Sequence, residues 1–215
     1  MNSAPRFDPF PPQSQRDILS QSARKALRRA ARAEEAGAAP ISGSIDILRD
    51  AGLMLEDGAT APLRTAHALM QIGAANLSVG RLWEGHVNAL RLIRLYGSVA
   101  QAERAKQVIR QGGLLGVWGA DAGNPARFEK GVLKGEKIFA SGLGTVTHAL
   151  VSLNSGPEVQ LALIDVTDPA RGDASQWDML GMRATASGTY DFSGLPLEDD
   201  ALIGAPGDYL KEPHF

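Results

Sequence analysis

The sequence predicts an α+β chain: an all-α domain over residues 1–112, then an antiparallel β-barrel or sandwich domain over residues 113–215. Three observations carry that division. Apolar residues recur at helical spacing up to Gln111-Gly112-Gly113 and in short runs after it. The second part is rich in glycine, with turn signals about every ten residues. The charge also reverses, from 15 basic and 10 acidic side chains in the first part to 7 and 14 in the second.

The whole 215-residue chain is almost neutral, with a net charge of −2. It is 44% hydrophobic and 21% charged, which is globular usage and provides no overall field for nucleic acid or an anionic membrane. Cysteine is absent, which excludes a disulfide scaffold, a thiolate nucleophile and a zinc ribbon, and suits a cytoplasmic setting. No apolar run reaches the roughly 18 residues of a membrane-spanning helix, and the N-terminus lacks the apolar stretch of a signal peptide.

Phe7–Gln13 contains Pro9, Pro11 and Pro12 and is excluded from regular helix. Ser14 or Asp17 can cap the helix that follows. Its thin apolar stripe (Ile18, Ala23, Ala26, Leu27, Ala30) runs between Arg24, Lys25, Arg28, Arg29 and Arg32, and reads as a solvated basic face. Ser42 or Ser44 can cap a short helix over 45–51 that Gly52 ends. Thr60 and Pro62 open the next one. Asn76 or Ser78 then starts a long helix whose apolar face holds Val79, Leu82, Trp83, His86, Val87, Leu90 and Ile93. Glu84 lies on its polar side, four residues before Asn88, and is no candidate base. Gly97-Ser98 ends the helix, and a polar helix over 99–110 leads to the boundary. His86, in the middle of an apolar face, is either a satisfied core histidine or a group facing a ligand.

Residues 114–117 read as a strand running into the loop Gly119–Asn124, where backbone can approach a ligand closely. No helix follows these glycines and no Gly-Lys-Ser/Thr occurs, so the loop is neither a dinucleotide fingerprint nor a P-loop. Residues 132–140 read as a hairpin turning at Lys134-Gly135. Further strands are expected at 149–153, 159–166 and 186–192, with one more at 195–199. His148 and His214 are the histidines of this half, and neither belongs to a metal-ligand spacing or a Ser/His/Asp set.

Four stretches in register resemble the acyl-CoA dehydrogenase superfamily. Leu114 to Asn124 (LLGVWGADAGN) resembles its flavin loop. Leu133 to Gly142 (LKGEKIFASG) resembles its "NG-x-K-x-W-I-T-N" hairpin. Leu180 to Phe192 (LGMRATASGTYDF) resembles "MG-x-R-x-S-x-T-x-x-x-x-F", and Leu202-Ile203-Gly204 resembles the "LLG" closing the β-domain. The resemblance implies FAD as cofactor and α,β-dehydrogenation of an acyl thioester. It puts Phe139 at the aromatic that packs on the isoalloxazine and Ser141 at the hydroxyl that bonds the flavin. Trp118 stands at a threonine that meets the ring, and Asn124 at a serine on the phosphate side. Trp118 departs from the pattern, since an indole replaces a small hydroxyl.

The resemblance also implies a C-terminal helical bundle that carries the usual catalytic carboxylate, the oligomer core and much of the adenosine site. No such bundle follows Leu202-Ile203-Gly204 here. The expectation is therefore a fragment, or a chain completed by a partner or homo-oligomer, with the faces of Trp83, Val87 and Leu90 left uncovered. Two alternatives stay open within the same resemblance. One is a flavin-dependent monooxygenase in which His86 acts on substrate, and the other a non-catalytic flavin- or partner-binding remnant.

Overall fold

The computed structural model describes residues 17–155 and 158–211. Phe7–Gln13, Ser14 and His214 lie outside the described residues. Helix α1 (Gln21–Glu35) is capped by Ser20, whose hydroxyl accepts the Ala23 N–H at 3.1 Å. Asp17, the other expected cap, pairs instead with Arg24 at 2.6 Å. Lys25, Arg28, Arg29 and Arg32 are exposed, as a solvated face requires. Helix α2 (Ser42–Asp50) has no side-chain cap. The Ser44 hydroxyl goes to the buried Glu34 carboxylate at 2.6 Å, because a buried anion is a stronger partner than a backbone amide. Gly52, at φ 72°, ends this stretch as expected.

Helix α3 (Pro62–Ala75) starts with proline in its first turn, and Thr60 does not cap it. Asn76 breaks the chain from α3 and caps α4 (Leu77–Tyr96), accepting the Val79 N–H at 3.2 Å. Ser98 and Gln101 form a reciprocal capping box on α5 (Val99–Arg110). No helix among the described residues is long and apolar enough to cross a membrane.

The strands are β1 (Leu115–Trp118), β2 (Ala120–Asp121), β3 (Arg127–Glu129), β4 (Val132–Lys134), β5 (Glu136–Ala140), β6 (His148–Ser155), β7 (Glu158–Asp165), β8 (Gly172–Asp173), β9 (Gly188–Asp191) and β10 (Leu202–Ile203). The first sheet runs β10-β7-β6-β3-β4, with β1 also on β6; the second runs β2-β5-β9-β8. β1 and β3 lie end to end along one edge of β6, β1 against His148–Val151 and β3 against Asn154, both parallel to it. The β-half is thus two open sheets, the first of them mixed. The expected barrel does not close, and the expected antiparallel pairing is not uniform.

The hairpin is also displaced. Its turn is Lys130-Gly131, both at positive φ (52° and 83°), with Glu129 opposite Val132. The second Lys-Gly pair, Lys134-Gly135, takes the chain from β4 in the first sheet to β5 in the second. A Cβ on Gly135 would lie 2.3 Å from the Pro125 carbonyl oxygen, so only glycine fits that crossing. Residues 195–199 contribute a single bridge, Pro196 to Val132, rather than a strand.

Helix α4 is the junction between the two halves. Trp83, Val87 and Leu90 are buried within the chain itself, not left uncovered. Helix α4 lies directly on β1 at Gly85, where an added Cβ would be in ordinary contact with the Val117 nitrogen and Gly116 Cα at 3.8 and 4.0 Å. His86 is fully buried. Its Nδ1 accepts the Leu115 N–H at 3.0 Å, so the ring proton sits on Nε2 and is donated to the Met54 carbonyl at 2.8 Å. Trp83 Nε1 donates to the neighbouring Leu53 carbonyl at 3.2 Å. The ligand-facing role expected for His86 is therefore corrected: both ring nitrogens are engaged inside the protein.

Burial pushes the His86 imidazole down to about 4, which keeps it neutral at physiological pH. The unfolded chain gains this proton near 6.5, while the folded chain resists until about 4. Stability should hold above pH 6.5 and fall by about 2 kcal/mol between pH 7 and pH 5 on this account. Denaturant midpoints across that window, compared with His86→Gln, check this. The variant should be about 2–3 kcal/mol less stable at pH 7 and lose the histidine part of the slope.

Candidate functional site

The resemblance-implied residues gather around β1, β2 and β5. β2 pairs with β5, Ala120 opposite Ile138 and Asp121 opposite Lys137. The loop's end is tied to the same strand, where the Glu136 N–H donates to the Asn124 carbonyl at 2.9 Å. The Asn124 side chain is exposed and accepts from Arg127 Nη1 at 3.0 Å. Gly123 leaves open space at the loop surface, with nothing within 4 Å of an added Cβ.

Strand β5 carries a bulge. Lys137 pairs with Tyr190 and Ala140 with Gly188, so Ile138 and Phe139 together face Thr189 alone. Phe139 sits at φ 51°, a conformation normally left to glycine and one that costs an L-residue about 1–2 kcal/mol. The bulge turns its ring outward: Phe139 is 58% exposed, while Lys137, two residues earlier, is fully buried. An aromatic held in a strained backbone and presented to solvent is not core, which makes Phe139 a candidate contact residue.

Ser141 lies at the edge of this surface and ends a row of hydroxyls. Thr185 Oγ is 2.8 Å from both the Met182 carbonyl and Ser187 Oγ, and Ser187 donates to Ser141 Oγ at 2.9 Å. The Met182 carbonyl already receives the Trp177 indole N–H and the Thr185 N–H. Thr185 nevertheless donates its proton to that carbonyl, and Ser187 donates to Ser141. Ser141 donates in turn to the Phe139 carbonyl at 3.4 Å, a long bond that an acceptor placed beside Phe139 could replace.

Trp118 is not at this surface. Its side chain is 1% exposed, donates to the Ser141 carbonyl at 3.0 Å and packs on Tyr190 and Phe192, with centroids 5.3 and 6.5 Å away. The expected ring contact from the indole is replaced by support from beneath. The sequence reading overlooked Lys137, whose one trace is the lysine of the quoted hairpin motif. Its ammonium reaches Asp121 Oδ1 at 2.5 Å, Ser152 Oγ at 3.0 Å and the Gly119 carbonyl at 3.4 Å. Burial draws its affinity for the proton below the usual lysine value, against the pull of Asp121.

A cleft of about 580 Å³ opens between the end of α1 and the β-half, lined by Glu35, Ile41, Leu143, Trp177, Arg183 and Ala186 among others. Leu143 follows Ser141 by two residues, and Ala186 lies between Thr185 and Ser187. The cleft thus adjoins the hydroxyl row without including Phe139. Across it, Glu35 accepts from the Ser78 hydroxyl and from the Arg183 N–H, the latter at 2.8 Å.

No protein-family model matches the sequence. Dibenzothiophene monooxygenases of Rhodococcus erythropolis and Rhodococcus qingshengii are 28% identical to it over 160 residues, 65% of this chain and 38% of theirs. TdsC, the dibenzothiophene monooxygenase of Paenibacillus sp. A11-2 solved with FMN and indole, superposes with a TM-score of 0.74 at 26% identity. That match covers 92% of this chain and 55% of TdsC. Glutaryl-CoA dehydrogenase of Mycobacterium smegmatis superposes with a TM-score of 0.72 at 16% identity. The chain has an acyl-CoA dehydrogenase-like fold. It spans 38% of the length of the curated relatives it matches and about half of these solved chains. Within this fold, the bulged strand β5 and the β1–β2 corner bring the resemblance-implied residues Asn124, Phe139 and Ser141 together.

The strain at Phe139 is testable without any ligand. Phe139→Gly should leave stability unchanged or raise it by up to about 1 kcal/mol, because relief of the left-handed strain outweighs the entropy of glycine. Chemical denaturation measures this. A loss beyond about 1 kcal/mol would show that the ring is packed core.

Proposed function

We propose that this chain provides the flavin-facing part of a flavin-dependent monooxygenase. The observation that carries the reading is Phe139, an exposed aromatic fixed on a strained bulge beside a hydroxyl held by one long hydrogen bond. The resemblance in sequence to dibenzothiophene monooxygenases, and in both sequence and fold to FMN-bound TdsC, supports oxygen transfer over dehydrogenation. The likeness to glutaryl-CoA dehydrogenase, at 16% identity, speaks for the fold alone.

The donor set suits a flavin. Such a ring needs an apolar face, hydrogen-bond donors at its heteroatom edge and close backbone near its phosphate. Phe139 offers the face and Ser141 the donor. The Gly119–Asn124 loop offers backbone with little side-chain bulk. Trp118, held beneath Ser141, keeps that hydroxyl in place. Bound reduced flavin would supply the electrons that activate dioxygen for transfer of one oxygen atom to an organic substrate. The chain's own part would be to bind and orient: Phe139 would pack on the ring, Ser141 would donate a hydrogen bond to it, and Ser187 would hold the Ser141 oxygen in place.

FMN, the flavin bound in the TdsC structures, is the proposed cofactor rather than the FAD implied by resemblance to the dehydrogenases. Absorbance titration of the chain with FMN and with FAD tests the reading. FMN should bind saturably. Phe139→Ala and Ser141→Ala should each raise its Kd about tenfold, equivalent to about 1.4 kcal/mol. With reduced FMN and oxygen, oxidation of indole is the expected turnover. Flavin reduction driven by an acyl-CoA would replace this reading with the dehydrogenase one.

A further inference from the structure

Lys137 is a costly residue in an unusual place. Its side chain has no solvent exposure, and its ammonium faces one carboxylate and two neutral acceptors. Replacing such a buried charge and its partner by apolar side chains is commonly neutral or stabilising, so stability alone does not explain an ammonium here. Its partners do. Gly119 is the corner where the chain leaves β1 in the first sheet for β2 in the second, Asp121 lies on β2, and Ser152 lies on β6 of the first sheet. Ser152 also donates to the Gly119 carbonyl, at 3.2 Å. One cation thus gathers the corner, the loop and both sheets. It does so from β5, two residues before Phe139.

The geometry assigns Lys137 as a positioning residue: it sets the Gly119–Asn124 loop against the Phe139/Ser141 surface and acts on a bound flavin only through that loop. This rests on the flavin reading above. A neutral side chain of similar length could fill the same volume. It could not hold the Gly119 carbonyl and the Asp121 carboxylate together, and only hydrogen-bond donors on a cation do that from one atom. Asp121 is one-third exposed at its side chain, so without its partner the loop has little buried contact to keep it in register.

Two readouts on the whole chain separate positioning from contact. Amide hydrogen exchange is measured without flavin, and FMN affinity by absorbance titration. Lys137→Met should keep the wild-type circular dichroism. It should speed exchange at residues 119–124 at least tenfold, leave β6 and β7 unchanged, raise the FMN Kd at least tenfold and blur the vibronic shoulder of the bound flavin band. Ser141→Ala, a direct contact, should weaken FMN without altering exchange in the loop. Lys137→Met with wild-type exchange and wild-type Kd would overturn the assignment. Should Lys137→Met fail to fold, Asp121→Ala and Ser152→Ala each remove one acceptor; unchanged loop exchange in both would overturn it equally. If the wild-type chain takes up no FMN, the flavin reading itself falls and takes this role with it. If FMN binds and only the lysine variants are silent, the flavin reading stands and the lysine role alone is lost.

Discussion

A neutral imidazole holds the two halves of this molecule in register. His86 receives an N–H from the first strand and gives its own proton to a carbonyl before α3, so the helical part and the sheets are bonded to opposite sides of one ring. The arrangement demands neutrality. A protonated ring would turn N–H toward the Leu115 N–H and leave that buried donor without an acceptor. Burial and hydrogen-bond geometry therefore favour the same protonation state. Helix α4 lies against β1 at the residue before His86, Gly85.

From that pin, β1 leads to the candidate site. Trp118 closes the strand against Tyr190 and Phe192, and the chain then crosses sheets at Gly119. A second crossing, at Gly135, lies against Pro125, near the end of the same loop. Both crossings deliver backbone to β5, where the bulge exposes Phe139. The features that violate ordinary sequence rules are thus neighbours: a phenylalanine at positive φ, a lysine without solvent and a tryptophan where the resemblance expects a small hydroxyl. Local violations gathered in one place mark function more reliably than any one of them.

Much of this was legible in the sequence, and the exceptions have physical causes. Helical spacing and Asn76, Pro62 and Ser98 located the helices, because their burial follows one continuous face. The strands at 148–155 and 158–165 were found since their pairing is local. The hairpin was misplaced because Lys130-Gly131 and Lys134-Gly135 give the same local signal, and only the approach of Pro125 tells a sheet crossing from a turn. The caps offered by Ser44 and Thr60 failed for a similar reason: a distant partner, Glu34, claimed the Ser44 hydroxyl. At the candidate site, Phe139 and Ser141 followed from resemblance; Phe139 is exposed on the bulge and Ser141 is buried beside it. The inward turn of Trp118, the full engagement of His86 and the burial of Lys137 depend on tertiary neighbours that no local window contains.

The placement of β1 on β6 has a consequence for the order of assembly. β6 and β7 share a continuous register from His148–Asp165 to Ser155–Glu158, so that ribbon closes early. β1 must find the same β6 across an excursion of some thirty residues that contains β2 through β5, and chain closure over that distance is slower. The candidate site occupies this excursion. It is therefore enclosed after the β6–β7 ribbon, and a ligand that bridges β5 and the Gly119 corner would fasten the fold as well as occupy it.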